Sequence, residues 1–317
     1  MKILIAVPCF NEERDIEKCI SNLKSLNFDD PNIIFDIAIF NDGSTDTTLD
    51  ILNEIDDIII LSSQTNYGLA TVFNNITYYS NKNKYDFLVI FDADNQYPAD
   101  EIPKVLNYSF NNNNDITLAT RNFKSNKIFS PFKNLIQRMG SLIVSLILGF
   151  KVHDATTGFR VYSSKALETL FITSSFSYTI ESLFVAKRYK LNISEYKLVN
   201  FNKTRDSRLF KSNLQYIIKT VQILSTSIAL YRRNVIKYIY FLLLIPGIIL
   251  ISRFFSKYFL DGSNQGNVQS LTTGLSIIVI ATLVYIFLLL ISYLKNYFLK
   301  IEKSTFLPEF TELNNIN

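Results

Sequence analysis

Apolar residues gather in five short runs along the first part of the chain, at 3–7, 35–40, 58–61, 87–91 and 116–119, separated by polar and turn-forming stretches. Runs of this length bounded by Pro, Gly, Asn and Asp read as strands. Between them the spacing predicts a helix starting at Glu12, one running through Leu52, one over 69–79 and one ending near Tyr108. Asn11 is placed to cap the first, with Glu12 and Glu13 at the positive helix end that favours acids. Strands alternating with helices of about 10–15 residues predict an α/β unit, a mostly parallel sheet with helices on both faces. Ligands of such sheets bind at the carboxyl ends of the strands. The segments PCFNEE, NDGSTD and DADNQ follow three of those ends, whereas the run Asn111 to Asn114 reads as a surface turn.

The second half of the chain has a different pattern. Residues 129–150 are apolar with charges only at Lys133 and Arg138, and the charge-free stretch 139–150 is too short to span a bilayer. It is expected to lie at a membrane interface rather than in a core. Residues 235–255 and 275–294 are long enough to span. Pro246 and Gly247 inside the first are tolerated in lipid, and Lys237 and Arg253 lie close enough to its ends to snorkel. The intervening stretch 256–274 has Lys257 as its one basic residue, while Arg232, Arg233, Lys237, Lys295, Lys300 and Lys303 flank the outer ends. The positive-inside rule therefore predicts that the N-terminal part and both termini are cytoplasmic. The start MKILIAVPCF lacks the long apolar run and cleavage site of a signal peptide. The expected organisation is a catalytic unit over 1–210, a basic juxtamembrane helix over 211–234, and a membrane domain with a short tail over 235–317. The expected location is a bacterial inner membrane.

Composition narrows the chemistry. The chain of 317 residues is 48% hydrophobic and 19% charged, which excludes disorder. A net charge of +4 is too mild for a nucleic-acid partner. Cys9 and Cys19 form no CxxC pair, so neither a disulfide framework nor a zinc ribbon is available. With His153 as the single histidine, metal chemistry must fall to carboxylates, and His153 itself is expected to be structural. The positive charge concentrates between 201 and 237, where Lys203, Arg205, Arg208, Lys211, Lys219, Arg232, Arg233 and Lys237 face only Asp206. A basic segment directly before a span suits anionic headgroups or an incoming lipid phosphate.

Two acidic motifs carry the candidate chemistry. Asp92 and Asp94 flank Ala93 directly after an apolar strand, a spacing that sends both carboxylates to one side of the sheet edge. Such a pair can hold a hard divalent cation that keeps open positions for phosphate oxygens. Asp42-Gly43-Ser44 adds a carboxylate and a turn whose glycine permits close backbone approach.

The segments VPCFNEE (7–13), FNDGSTD (40–46), NYGLA (66–70), DADNQYP (92–98) and DATTGFRVYS (154–163) resemble, in order, those of family 2 glycosyltransferases with a GT-A fold. Among these the chain is most similar to polyprenyl-phosphate glycosyltransferases of the dolichol-phosphate mannose synthase type. The resemblance implies a Rossmann-like GT-A sheet with a C-terminal pair of transmembrane helices. It implies that Pro8, Phe10 and Glu12 line the nucleobase pocket and that Asp42 contacts the nucleotide. Asp92, Asp94 and Gln96 would then hold Mg²⁺ or Mn²⁺, and Ala93 would lie against the donor. The implied reaction is inverting transfer of a hexose from a UDP- or GDP-sugar to undecaprenyl or dolichyl phosphate, and a homo-oligomer is compatible with it. Asp154 is assigned to sugar or acceptor positioning or to general base, and Arg121 to the diphosphate. In place of the family's R-x-x-G-x-S-K the chain reads N-K-T-R-D-S-R, with Asn202 at the first Arg and Arg205 at the Gly. Arg208 follows Ser207 as the family's Lys does, and Arg205 or Lys203 is expected to replace the missing Arg. Two other readings are a glycan-elongating transferase and a non-catalytic membrane partner that keeps the nucleotide-sugar fold. The lack of Trp speaks against a processive polymerase and the intact acids against a binding-only protein.

Overall fold

A computed structural model describes residues 1–121, 131–174, 177–199, 213–260, 268–305 and 310–313. The five apolar runs form β1 (Lys2–Cys9), β2 (Ile34–Asn41), β3 (Ile59–Ser62), β4 (Phe87–Ile90) and β5 (Ile116–Thr120). Helices α1 (Ile16–Lys24), α2 (Thr48–Asn53), α3 (Leu69–Lys82) and α4 (Ile102–Asn111) connect them. Strands β1 and β2, β2 and β3, and β1 and β4 pair in parallel. Because the chain moves outward from β1 to β2 and β3 and then crosses back to β4, a crevice opens at the carboxyl ends of β1 and β4. Ile3, Leu4, Ile5, Ala6 and Val7 are all fully buried, so β1 is covered on both faces.

The remaining strands do not stand out as apolar runs. After α5 (Pro131–Leu148), β6 (Arg160–Ser163) inserts antiparallel between β4 and β5, followed by α6 (Ser164–Thr169), α7 (Thr179–Arg188) and β7 (Ile193–Lys197), which extends β5. Helices α8 (Asn213–Tyr231), α9 (Arg233–Leu260) and α10 (Val268–Thr305) precede β8 (Thr311–Glu312), which pairs antiparallel with β3 and completes a sheet of eight strands. Here Phe310 packs on Phe40 with ring centroids 5.9 Å apart, and the Leu313 N–H donates to the Ile60 carbonyl at 2.9 Å.

One local expectation is overturned. The first helix starts at Ile16, and Asn11 does not cap it. Asn11 has φ +56°, outside the extended backbone of a helix cap, and its Oδ1 accepts the Thr45 N–H at 2.7 Å. It ties the loop after β1 to the loop after β2.

The chain divides into two compact units, one over 1–224 with the C-terminal strand, the other Ser225–Thr305. The boundary falls within α8. On α5 of the first unit, Met139, Leu142, Ile143 and Leu146 form an exposed apolar stripe at helical spacing, while Ser141, Val144 and Leu148 are buried. Among the described residues two helices are long and apolar enough to cross a membrane, Asn234–Phe259 and Val268–Leu294, both in the second unit and each with only 11% of its apolar window buried. A core helix of a soluble protein would be mostly buried. Helix α9 continues through Pro246, and α9 and α10 pack closely at glycines: a Cβ on Gly274 would lie 2.9 Å from the Gly247 carbonyl oxygen.

Candidate active site

The loops after β1 and β2 are built on each other. Cys9 pairs in register with Asn41, so Pro8, Phe10 and Glu12 leave β1 beside the start of the Asn-Asp-Gly turn. Phe10 is 41% exposed, and Pro8 and Glu12 are half-buried. Asp42 is buried and turns both oxygens on backbone donors of a third loop, accepting from Tyr67 N–H and Gly68 N–H at 2.8 Å each. Burial pushes the Asp42 carboxyl above its ordinary pKa against the pull of these hydrogen bonds. Gly43 has φ +65°, and a Cβ there would lie 2.5 Å from the Thr65 carbonyl carbon. Only glycine allows the turn to press against 65–68 this closely. Asp42 thus fixes the NYG loop, a role not evident from spacing alone.

At the end of β4, Asp92 and Asp94 follow the strand, with Ala93 buried between them. The Gln96 N–H donates to Asp94 Oδ1 at 3.2 Å. Asn95, at φ +54°, donates to the Asp15 carbonyl at 2.9 Å and so ties this turn to the start of α1. Burial pushes the Asp92 carboxyl up to about 7, and the charge of Asp94 adds to this, while Arg121 and Arg160 oppose it. The buried Cys19 thiol is pushed up to about 12 by burial and by the charges of Asp94, Asp92, Glu12 and Asp15. Among the described residues no three His, Cys, Asp or Glu side chains form a ready-made cage. Two carboxylates fit Mg²⁺ or Mn²⁺ that takes its other ligands from water and substrate phosphates, and the strain of two neighbouring acids is what a cation would relieve.

The segment 154–163 lies across from this pair. Gly158 has so little room that a Cβ would lie 2.4 Å from Asp92 Oδ2 and 2.7 Å from Oδ1. Behind it the fully buried Arg160 donates to the carbonyls of Thr157, Thr179 and Ala155 at 2.8 to 2.9 Å and to Ser182 Oγ, which satisfies its guanidinium with backbone. Arg121, at the end of β5, does not stand alone at the crevice: it forks onto Asp154, with Thr156 Oγ1 also accepting. The guanidinium holds the Asp154 carboxyl below its ordinary pKa despite burial, which is the opposite of what a general base requires. His153 pairs with Glu195, which accepts from both its ring and its backbone N–H, in keeping with a structural role. Lys203, Arg205 and Arg208 lie outside the described residues. Gly158, Arg160, Tyr97 and Tyr178 were not singled out in the sequence. Gly158 and Arg160 sit inside the segment 154–163 and Tyr97 inside 92–98, two of the motifs that were.

A mostly parallel sheet with its crevice at the β1–β4 switch and an acidic pair at the end of β4 defines the GT-A class. Its likeness to solved members confirms the fold. A Mycobacterium tuberculosis glucosyl-3-phosphoglycerate synthase in complex with Mn²⁺, UDP and glucosyl-3-phosphoglycerate superposes with a TM-score of 0.55 at 18% identity, covering 72% of this chain and 78% of that one. S. aureus TarS 1–349 with UDP-GlcNAc gives 0.52 at 17%, covering 73% and 68%. Residues 4–171 match the model of glycosyl transferase family 2, and the chain belongs to that family: it is a glycosyltransferase. It is 29% identical over 219 residues to a UDP-N-acetylglucosamine–dolichyl-phosphate N-acetylglucosaminyltransferase of Methanococcus voltae, covering 61% of this chain and 83% of the relative. It is 25% identical over 250 residues to the dolichyl-phosphate β-glucosyltransferase ALG5D of Trichomonas vaginalis, covering 72% and 73%.

Proposed function

We propose that this membrane glycosyltransferase moves a hexose or N-acetylhexosamine from a nucleotide sugar, UDP-linked as in the Methanococcus voltae relative, onto a polyprenyl phosphate, inverting the anomeric carbon. The observation that carries the reading is the union, in one chain, of the acidic pair Asp92 and Asp94 at the crevice of a family 2 fold with two candidate spans.

Pro8, Phe10 and Glu12 line the base, and Asp42 holds the loop 66–68 that closes the nucleotide side. Asp92 and Asp94, with Gln96, would hold Mg²⁺ or Mn²⁺, which supplies charge neutralisation for the departing diphosphate. The acceptor phosphate, with a second pKa near ~6, is largely a dianion at pH 7 and needs no base to attack. Asp154 therefore orients Arg121 toward the donor instead of removing a proton. Lys203, Arg205 and Arg208 receive the lipid phosphate. An even number of spans would return the chain to the side from which it entered, and the basic residues flanking the outer ends of the pair favour the cytoplasmic side.

The test incubates membranes containing the protein with labelled nucleotide sugars and polyprenyl phosphate, with Mn²⁺ or with EDTA. The expected result is organic-phase label from one donor that disappears in EDTA. Transfer only to water-soluble glycans would overturn the reading in favour of an elongating enzyme.

A further inference from the structure

Two buried phenols hold Gly158 through the peptide groups on either side of its Cα. On its carbonyl side, Tyr178 Oη donates to Gly158 O at 2.9 Å. On its amide side, Gly158 N–H donates to Tyr97 Oη at 3.3 Å. Tyr97 Oη lies 3.2 Å from Thr157 Oγ1, which itself donates to the Ala119 carbonyl at 2.6 Å. One arrangement of protons satisfies all three contacts: Gly158 N–H to Tyr97, Tyr97 O–H to Thr157, and Thr157 O–H to Ala119.

The rings are as firmly seated as the hydroxyls. Tyr178 stacks on Phe73 at 4.4 Å and 8°, and Tyr97 packs edge-on to Phe159 at 5.7 Å. Phe73 belongs to α3, which begins directly after the Gly68 that Asp42 holds, so the clamp is anchored on the nucleotide side as well. What the clamp fixes is a narrow gap. The Asp92 carboxylate rests against Gly158 where not even a methyl group would fit. A shift of Gly158 toward β4 would displace both oxygens, and a shift away would free the side chain to rotate.

We propose that Tyr97 and Tyr178 are positioning residues that act through Gly158 to hold the Asp92 carboxylate in its cation-binding orientation. The inference rests on the reading that Asp92 holds the divalent cation. Neither phenol touches substrate in this role. Each removes freedom from the Gly158 backbone against which the Asp92 carboxylate rests, as partners behind a metal ligand do elsewhere.

The experiment uses the full-length protein in detergent and compares wild type with Tyr97→Phe, Tyr178→Phe and, as a control, Tyr85→Phe. Tyr85 is also buried and donates to Asp36 at 2.7 Å, so its loss removes a comparable phenol hydrogen bond at a different place. Mn²⁺ binding in the presence of UDP is followed by the electron paramagnetic resonance of free Mn²⁺, alongside kcat and donor KM. Each clamp variant is expected to weaken Mn²⁺ binding about ten-fold and to lower kcat with little change in KM, while Tyr85→Phe leaves Mn²⁺ binding as in wild type. The two variants attack the clamp from different sides, so either one, if folded by circular dichroism, suffices. Wild-type Mn²⁺ affinity in both would overturn the inference and leave the proposed reaction standing. Failure of wild type itself to bind Mn²⁺ with UDP would overturn both.

Discussion

Arg121 Nε and Nη2 donate to Asp154 Oδ2 and Oδ1 at 2.6 and 2.9 Å, a two-pronged pair in which Asp154 is 1% exposed. The fork joins the end of β5 to the segment that carries Gly158, so it sets one wall of the crevice. Parallel N–H···O bonds of this kind fix orientation as well as distance.

Removing one partner strands a buried charge, which costs about 3–5 kcal/mol. Arg121→Ala is therefore expected to lower the unfolding midpoint of the full chain in detergent by several degrees. The Asp154 carboxyl is held below its ordinary pKa of about 3.9, so its contribution is fully present above that value and fades as pH falls through the lower folded one. The stability gap between wild type and Asp154→Asn should accordingly narrow below about pH 4. A gap that instead widens on acidification would contradict the pairing.

Asp92 behaves in the opposite sense. Its folded pKa is raised to about 7, so between about pH 4 and that value the folded chain holds a proton that the unfolded chain has lost. In EDTA, stability should fall as pH rises through this window, and Asp92→Asn should flatten the dependence while reducing sugar transfer at least ~100-fold. Thermal melts of the two proteins at pH 5 and pH 8 check the first part and label transfer the second.

Strand β8 covers the edge of β3 and buries Phe310 against Phe40. Phe310→Ala is expected to cost about 3 kcal/mol, and ending the chain at 305 should in addition promote association through the bared edge. Melting curves and light scattering in detergent report the two effects. A truncated chain that melts like wild type and stays dispersed would show that the strand carries no stability.

At Gly274 the approach of α9 leaves no space, since a Cβ would meet the Gly247 oxygen and Ile251 Cγ1 at 2.9 Å each. Gly274→Val should force the helices apart at a cost of about 1–3 kcal/mol. Gly140→Val, where a Cβ meets nothing within 4 Å, serves as the comparison that leaves helix–helix packing intact. A lowered melting midpoint for Gly274→Val alone is the expected outcome.

The strands β1 to β5 and both long apolar helices were legible because each is a mostly apolar run, and burial of the strand or exposure to lipid favours such a run directly. Strands β6, β7 and β8 were not, since RVYS, ISEYK and TE are short and mixed and owe their conformation to the neighbour they pair with. The same division runs through the site. Asp42, Asp92 and Asp94 were found by type and position after strands. That Asp42 spends its hydrogen bonds on Tyr67 and Gly68, and that Arg121 is engaged by Asp154, depends on residues 25 to 33 positions away.

By itself the sequence determined which segments are strands of a covered parallel sheet, which can cross a bilayer, and where acids collect at strand ends, because each follows from local patterns of polarity. Only the tertiary structure decided that Gly158 closes on Asp92, that Arg160 is satisfied by backbone, and that the tail returns to β3. These are contacts between distant segments, and distance in the chain erases any local signature while packing in three dimensions makes them obligatory.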